Sequence, residues 1–237
     1  MDSVQPPKGG RTVTSIYRQA LGSDFDKLHP RIQERFGFSS KDRVASIGVG
    51  VMDRIWYSRW AAIPLYIGTY RNIMFPQRGT GIPFTIGNYA YTDGYGRETV
   101  TWSRKFKFPD TIRRFDATMI YSRRRGMIVD YLGTKQHLAV DLEMSADEEG
   151  GINIRSGEQR FYEGGLGFRF PPLLTGIANV REWYDDRETT YKISVEVTNR
   201  LLGCVFRYDG RFQARFVPQD PAMIPLDALP LREESRE

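Results

Sequence analysis

The stretch that decides the fold is GRETVTWSRKFKF, residues 96–108. From 98 to 108 its even-numbered positions are apolar except for Glu98 and Arg104, whereas its odd-numbered positions are all polar. Successive side chains of a β-strand point to opposite faces, so this alternation predicts a strand with one polar and one apolar face. Trp102 shares the apolar face with the two charged residues, and we expect that face to point inwards.

The same two-residue period continues along most of the chain after this stretch. Segments 111–121 and 137–144 alternate in the same way, and 204–216 again carries aromatic residues on one face. Turn sequences such as SRRRG at 122–126 separate the segments, and no helical pattern intervenes. Consecutive strands with one polar face each are typical of antiparallel sheets. The sequence therefore predicts an α+β fold: a large curved antiparallel sheet of about nine strands cupped around N-terminal helices.

Helical patterns are confined to the N-terminal third of the chain. Residues 15–22 begin with a serine suited to N-capping and end with glycine, and Pro30 suits the first turn of a second helix that ends at Gly37. Pro64 lies near the start of a third pattern and predicts a helix over 63–74. We expect this third helix to pack in the core; a lid or a membrane-facing helix is the alternative. Its stripe consists of apolar residues spaced three or four apart: Trp56, Trp60, Ile63, Ile67, Tyr70 and Met74.

The two ends of the chain differ from its middle. Residues 1–14 are polar and contain two prolines and two glycines, and residues 217–237 contain four prolines and end in LREESRE. We expect both to be flexible tails that flank a single α+β domain, residues 15–216.

The composition, with 40% hydrophobic and 27% charged residues, is that of an ordinary globular protein. The single cysteine, Cys204, excludes an intramolecular disulfide and fits a reducing compartment. The N-terminus lacks the apolar core of a signal peptide, and no run approaches 18 apolar residues, so no transmembrane segment is expected. A cytoplasmic protein is the resulting expectation.

Positive charge is concentrated between residues 96 and 125, where nine basic residues face three acidic ones. One interpretation is an anionic partner bound by the hairpin tip Arg123, Arg124 and Arg125. The other is a solvated sheet face. Nucleic-acid binding is not expected, because the outward face of 97–107 has no aromatic residue on which a base could stack.

No motif of a known catalytic class occurs in the sequence. There is no GxSxG, P-loop, HExxH or CxxC, and Gly48-Val49-Gly50 lacks the third glycine of a dinucleotide fingerprint. The two histidines, His29 and His137, lack further ligands at metal-binding spacing. We therefore expect neither a metal site nor a cofactor.

Glu98 and Arg104 remain unusual because they place charges on an apolar face. They would lie about 20 Å apart along the strand, and each needs its own partner because an unpaired buried charge costs several kcal/mol. REWYDD at 181–186 offers Arg181 for Glu98 or Glu182 for Arg104. One interpretation is a structural ion pair at the sheet end; the other is the polar anchor of an apolar ligand pocket. In the second, the candidate pocket residues are Tyr89, Tyr91, Glu98, Trp102, Arg104, Arg181 and Trp183.

Four segments carry a family resemblance: IYRQALGSDFDKLHPRIQERFGF at 16–38, GRETVTWSRKF at 96–106, REWYDD at 181–186 and GCVFRYDGRF at 203–212. Together with shorter matches between 15 and 216, they resemble a bacterial family known only as a domain of unknown function. The resemblance implies that members occur alone or C-terminally fused to saccharopine-dehydrogenase-like NAD(P)-binding domains, and hence a role beside a small-molecule reductase. It assigns no catalytic residue and carries over no nicotinamide site.

Three functional hypotheses follow. The first is a non-enzymatic domain that binds a small apolar or amphipathic molecule in the sheet-helix cup. The second is an enzyme acting on a small organic substrate, with Glu98 as general acid or base and Arg104 or Arg181 as anion clamp. The third is an interaction module that binds an anionic surface through the 123–125 hairpin. The sequence predicts no oligomeric state.

Overall fold

The computed structural model of the protein describes residues 13–237. Its three α-helices are α1 Ile16–Leu21, α2 Pro30–Gly37 and α3 Ala62–Thr69. Its strands are β1 Val44–Tyr57, β2 Gly79–Thr92, β3 Glu98–Phe108, β4 Thr111–Ser122, β5 Met127–Leu132, β6 Leu138–Ala146, β7 Ile152–Glu163, β8 Leu166–Arg169, β9 Gly176–Asp185, β10 Thr190–Asn199 and β11 Gly203–Pro218.

Ten of these strands close into a barrel. They follow the order β6-β5-β4-β3-β2-β1-β11-β10-β9-β7, and β6 also pairs with β7, which completes the ring. The pairing is antiparallel, as predicted, but the expectation of a curved open sheet is corrected to a closed barrel. Closure satisfies the backbone groups that two free sheet edges would leave unpaired. Short β8 lies outside the ring and pairs only with β7 among the described strands.

Strong local curvature comes from bulges and from close backbone contact. The register shifts in β1 between Met52 and Arg54, where β1 pairs with β11, and such bulges bend a strand. At Gly50 a Cβ atom would lie 2.0 Å from the carbonyl oxygen of Arg211. Glycine is therefore required for β1 and β11 to approach so closely, and this accounts for the Gly48-Val49-Gly50 sequence without any nucleotide.

Helices α1 and α2 close one end of the barrel, which we call the helical end. As expected, Ser15 caps α1 by accepting a hydrogen bond from the Tyr17 N–H, and Pro30 occupies the first turn of α2. The Tyr17 ring lies 6.5 Å from that of Trp102 on the inner face of β3. Ile16 and Phe36 are completely buried, so the helices form the apolar cover that the inner face of the sheet requires.

Helix α3 lies in the β1–β2 connection at the opposite end, which we call the loop end. The expected core helix over 63–74 is wrong in both length and position. The helix ends at Thr69, and Trp60 and Ile63 are 81% and 75% exposed. Ile67 and Tyr70 are exposed too, whereas Trp56 and Met74 at the two ends of the stripe are half-buried. The end of the stripe, Met74, packs against the barrel core, and α3 itself contacts that core through Leu65 rather than through the stripe.

The C-terminal segment, residues 219–237, lies against the outer wall of the barrel, although the sequence predicts a flexible tail from 217. Ile224 and Ala228 are buried in a cluster with Tyr91. The Arg97 guanidinium donates to the carbonyl oxygen of Glu234 at 2.8 Å. Apolar contacts and carbonyl acceptors thus hold a segment whose prolines and charges suggest disorder. The predicted N-terminal tail, residues 1–14, lies mostly outside the described residues. The domain bounds 15–216 stay a prediction.

Candidate functional site

A cavity of about 140 Å³ lies inside the barrel. Seven strands contribute to its wall, together with Ile73 and Met74 from the β1–β2 connection. Most of the lining side chains are aliphatic or aromatic, as in ligand cavities generally. Only two charged residues, Arg104 and Asp130, line it within the described part of the chain. The polar chemistry of the cavity therefore depends chiefly on these two side chains.

Arg104 reaches the cavity from β3 and is 4% exposed. Its Nε donates to the carbonyl oxygen of Phe115 at 2.8 Å, and its Nη1 lies 3.5 Å from the Tyr208 hydroxyl. The guanidinium also lies over the Phe115 ring, 3.7 Å from the centroid. No carboxylate of residues 13–237 lies within ion-pair distance. Arg104 is thus a buried cation held in place by neutral groups, with donor capacity left over.

Asp130 reaches the cavity from β5, where it is paired with Met119 of β4. Its Oδ1 is buried and has no hydrogen-bond partner among the described residues. Burial raises the pKa of this carboxyl to about 7, and the positive charge of Arg104 opposes the rise in pKa. Asp130 can therefore exist either as an acid that donates a hydrogen bond or as an anion near neutral pH.

A second buried charged pair lies at the helical end. Arg35 of α2 and Glu182 of β9 are both 0% exposed and form an ion pair through Arg35 Nε and Glu182 Oε1. Arg35 Nη1 also donates to Ser46 Oγ at 2.8 Å. Burial raises the pKa of Glu182, and the Arg35 charge opposes that rise. This pair ties α2 to the barrel wall, and neither residue lines the cavity.

Glu98, the predicted catalytic candidate, lies at the helical end and does not line the cavity. Its two carboxylate oxygens accept hydrogen bonds from the backbone N–H and the hydroxyl of Ser40, both at 2.6 Å. Partial burial raises the pKa of Glu98, although both hydrogen bonds from Ser40 lower it. The contacts of Glu98 are those of a carboxylate that fixes the turn Ser40–Asp42 against β3.

The other predicted pocket residues divide between the inside and the outside of the barrel. Trp102 lines the cavity beside Arg104. Tyr91 lies on the outer wall beneath the C-terminal segment, with Tyr89 packed against the same cluster. Burial raises the pKa of both tyrosines. Of the seven predicted residues, the structure thus brings only Trp102 and Arg104 together in the cavity.

Arg181 and Trp183 lie on the outer face of β9. Arg181 forms ion pairs with Asp147 and Glu149, and its guanidinium lies 4.6 Å from the Trp183 ring centroid. The expected pairing of Arg181 with Glu98 is therefore wrong. So is that of Glu182 with Arg104, because Glu182 pairs with Arg35.

Sequence reasoning missed Asp130, although the signal was present. In MIVDYL, residues 127–132, Ile128, Asp130 and Leu132 share one face of the strand. The criterion that singled out Glu98 and Arg104, a charge on an apolar face, applies equally to Asp130. Of Glu98, Arg104 and Asp130, the two that line the cavity are Arg104 and Asp130.

The basic hairpin is largely neutralised by nearby carboxylates. Arg125 forms ion pairs with Asp141 and Glu158, and Arg124 lies 3.6 Å from a carboxylate oxygen of Glu237. These contacts weaken the interpretation of the hairpin as an anion-binding surface, since Arg123 is the only one of its three arginines without an ion pair within residues 13–237.

Within residues 13–237, no three or more His, Cys, Asp or Glu side chains are grouped so as to hold a metal ion. No helix in this range is both long and apolar enough to cross a membrane.

Comparisons with known proteins agree with the family resemblance. The family model described as "Domain of unknown function (DUF4166)" matches residues 28–212. The uncharacterized protein YndH of Bacillus subtilis strain 168 is 32% identical over 202 residues, which cover 85% of this chain and 97% of that protein. No solved structure shows significant similarity to this chain. The matched range contains both Arg104 and Asp130.

Proposed function

We propose that this chain, which belongs to the DUF4166 family of domains of unknown function, binds a small apolar molecule with one polar group inside its barrel. The observation that carries the proposal is the cavity itself: its wall is mainly apolar, yet it contains Arg104 and Asp130 without ion-pair partners. A charged group left unpaired in an apolar interior is costly. A bound polar group would offset that cost.

The size of the cavity limits what it can hold. Its volume of about 140 Å³ is close to that of an engineered apolar cavity of about 150 Å³ that binds benzene. Drug-sized ligands occupy sites of about 300 Å³ or more. We infer that the part of the ligand inside the barrel is no larger than one aromatic ring or a short branched chain.

The two charged residues select the polar group of the ligand. Arg104 donates hydrogen bonds only, whereas Asp130 accepts them when ionised and can donate one when protonated. A phenol satisfies both, because its oxygen accepts from Arg104 and its O–H donates to Asp130. A carboxylic acid satisfies both as well, as a carboxylate bound by Arg104 and by protonated Asp130. Small phenols and carboxylic acids are therefore the proposed ligand class.

An enzymatic function is the second candidate, and it rests on Asp130 rather than Glu98. A general acid or base works best when its pKa lies near the operating pH, and burial raises the pKa of Asp130 to about 7. In this version Arg104 binds the anionic group of the substrate while Asp130 transfers a proton.

Two further parts of the proposal rest on the sequence alone. A role beside a small-molecule reductase follows only from the family resemblance, in which case the bound molecule would be a substrate or product of that reductase. A cytoplasmic location is the other part, and it is supported by the single cysteine, Cys204, which fits a reducing compartment.

Native mass spectrometry of the purified full chain, followed by organic extraction, tests for a bound molecule. A panel of small phenols and carboxylic acids is then titrated and followed by thermal shift and calorimetry. Loss of a charge-assisted hydrogen bond of about 2 kcal/mol corresponds to about a thirtyfold loss of affinity, which we expect for Arg104→Met. Glu98→Gln is the matched control, because Glu98 is a partly buried charge outside the cavity. The absence of an extracted ligand, together with the absence of binding across the panel, would contradict the proposal.

A further inference from the structure

Apolar side chains at the loop end are exposed around the barrel opening. They belong to three connections: 58–78 between β1 and β2, 170–175 between β8 and β9, and 200–202 between β10 and β11. Antiparallel pairing of β9, β10, β11 and β1 places these connections at one end. We define the apolar rim as the exposed residues Trp60, Ile63, Ile67, Leu174, Leu201 and Leu202.

Direct contacts hold the three connections together. Asn199 Nδ2 donates to the carbonyl oxygens of Leu173 and Thr175, at 2.9 and 2.8 Å. The Ser58 N–H donates to the carbonyl oxygen of Val205 at 2.9 Å, beside the 200–202 turn. Leu174 and Leu201 are 73% and 68% exposed. Exposed apolar side chains thus lie on all three connections at this end of the barrel, and such a group of exposed apolar residues is a common mark of an interaction site.

The charges of the rim define what it can bind. The connection 58–78 contains Arg59, Arg71 and Arg78 and no acidic residue, and Arg200 lies in the neighbouring turn. Arg59, Arg71 and Arg200 are exposed, and none forms an ion pair within residues 13–237. This contrasts with the basic hairpin, where Arg124 and Arg125 face carboxylates.

Few acidic residues lie at this end to offset those charges. Asp110 lies in the β3–β4 turn, and Glu163 faces His137 and Arg232. The rim therefore combines exposed apolar side chains with a local excess of positive charge.

From these observations we propose that the apolar rim docks on the surface of a bilayer containing anionic phospholipids. Trp60, Ile63 and Ile67 would enter the headgroup boundary, where tryptophan and aliphatic side chains are favoured. Arg59, Arg71 and Arg200 would contact lipid phosphates, and each basic residue near such a surface adds about 1 kcal/mol, or about fivefold in affinity. A second copy of the chain fits less well, because a self-paired rim would bring unpaired arginines together.

The rim adjoins the cavity. Ile73 and Met74 belong to the same connection as α3, and both line the cavity wall. If the proposed function holds, a docked barrel could exchange an apolar molecule with the bilayer through this end. Docking itself does not depend on a ligand, so the two proposals can fail separately.

Vesicle flotation with the purified full chain tests the docking. Vesicles of phosphatidylcholine alone are compared with vesicles that also contain phosphatidylglycerol, at low and high salt. We expect binding to the anionic vesicles only, weakened by salt because screening reduces the attraction. Ile63→Ser combined with Ile67→Ser should lower the affinity by on the order of tenfold or more, since two side chains lose their apolar contact. The matched control is Met223→Ser with Leu226→Ser, two apolar residues on the C-terminal segment that are at least as exposed as Ile63 and Ile67.

Charge variants identify the contacting surface. The triple variant Arg59→Gln, Arg71→Gln, Arg200→Gln should lose about a hundredfold in affinity by the fivefold-per-arginine estimate. The double variant Arg123→Gln, Arg124→Gln should keep its affinity. Loss of binding in the hairpin variant with retention in the rim variant would overturn the proposal. So would equal binding to neutral and anionic vesicles, an absence of binding, or self-association that depends on Ile63 and Ile67 without vesicle binding.

Discussion

Arg104 and Asp130 line one cavity inside the barrel, and neither forms an ion pair with any described residue. The Arg104 charge nevertheless opposes the rise in the pKa of Asp130, so the two side chains interact at a distance. In a direct ion pair the two side chains would satisfy each other. Here the Arg104 guanidinium and the Asp130 carboxyl both face the cavity instead. The two charges are therefore available to a ligand inside the cavity rather than on the outer sheet face.

Stability should fall as pH rises from about 4 to about 7 because of Asp130. Burial raises the pKa of Asp130 from its ordinary value of 3.8 to about 7 in the folded chain. Between these values the folded state binds more protons than the unfolded state, so raising the pH favours unfolding. A shift of this size corresponds to on the order of 4 kcal/mol. Asp130→Asn should therefore stabilise the protein at pH 8 by up to that amount and change little at pH 4.

Urea unfolding of wild type and variant across this pH range measures the effect. Asp110→Asn, at an exposed turn residue, is the matched control. The pH dependence of its free energy of unfolding should match that of wild type. If the free energy of unfolding depends on pH in the same way for Asp130→Asn and wild type, Asp130 does not titrate in this way.

Alternation along the chain was enough to predict most of the strands and the inward face of β3. It did not give the inward face of β2 and β9, because Tyr91 and Trp183, expected in the pocket, lie on the outside of the barrel. It placed Trp102 and Arg104 inside and could have placed Asp130 there. It could not reveal that β6 pairs with β7, because alternation is the same in an open sheet and a closed barrel. The Arg35–Glu182 pair joins residues 147 positions apart, and only the three-dimensional fold brings them together. The α3 stripe shows a further limit: periodicity identifies one face of a helix but not whether anything covers it.

Arg35→Met should be strongly destabilising. It leaves the carboxylate of Glu182, which is completely buried, without its cation, and breaking such a pair costs about 3–5 kcal/mol. Adding Glu182→Gln to Arg35→Met should recover most of the loss, because the unpaired charge is then removed. Chemical unfolding of both single variants and the double variant gives the coupling between the two residues.

The exposed pair Arg31 and Glu34 provides the comparison for this cycle. Its atoms lie 3.1 Å apart, yet solvent screening should make its coupling much weaker than that of the buried pair. A coupling between Arg35 and Glu182 no larger than that of the surface pair would contradict a stabilising role at the helical end.

The C-terminal segment should contribute to stability as well as cover the outer wall. Ending the chain after Pro218 would expose Tyr91 and remove the Asp227 carboxylate that faces Lys105 and Arg114. Because the ion pairs are partly exposed, most of the loss should come from apolar contact, and we expect about 2–4 kcal/mol. Urea unfolding measures this loss.

A milder variant distinguishes packing from charge in this segment. Ile224→Ser should produce a large part of the loss, whereas Asp227→Asn should cost less than about 1 kcal/mol. Equal stability of the shortened chain and the full chain would indicate a segment that is free in solution.

Closure of the barrel should depend on Gly50. A Cβ atom there would lie 2.0 Å from the Arg211 carbonyl oxygen and 2.5 Å from the Phe212 Cα. These are backbone atoms of the paired strand β11, so the clash cannot be relieved by rotating a side chain. Gly50→Ala should separate β1 from β11 locally and destabilise the protein by several kcal/mol, in the range seen for severe overpacking.

Gly165→Ala is the matched control for this substitution. Gly165 has no heavy atom within 4 Å of its ideal Cβ position and no positive φ, so its replacement should change stability by less than about 0.5 kcal/mol. Thermal and urea unfolding of the two variants test whether close strand contact, rather than glycine flexibility in general, is what the barrel requires. A Gly50→Ala variant as stable as Gly165→Ala would mean that β1 and β11 can separate without loss. In that case the bulge at Met52, rather than the glycine, would account for the curvature of this wall.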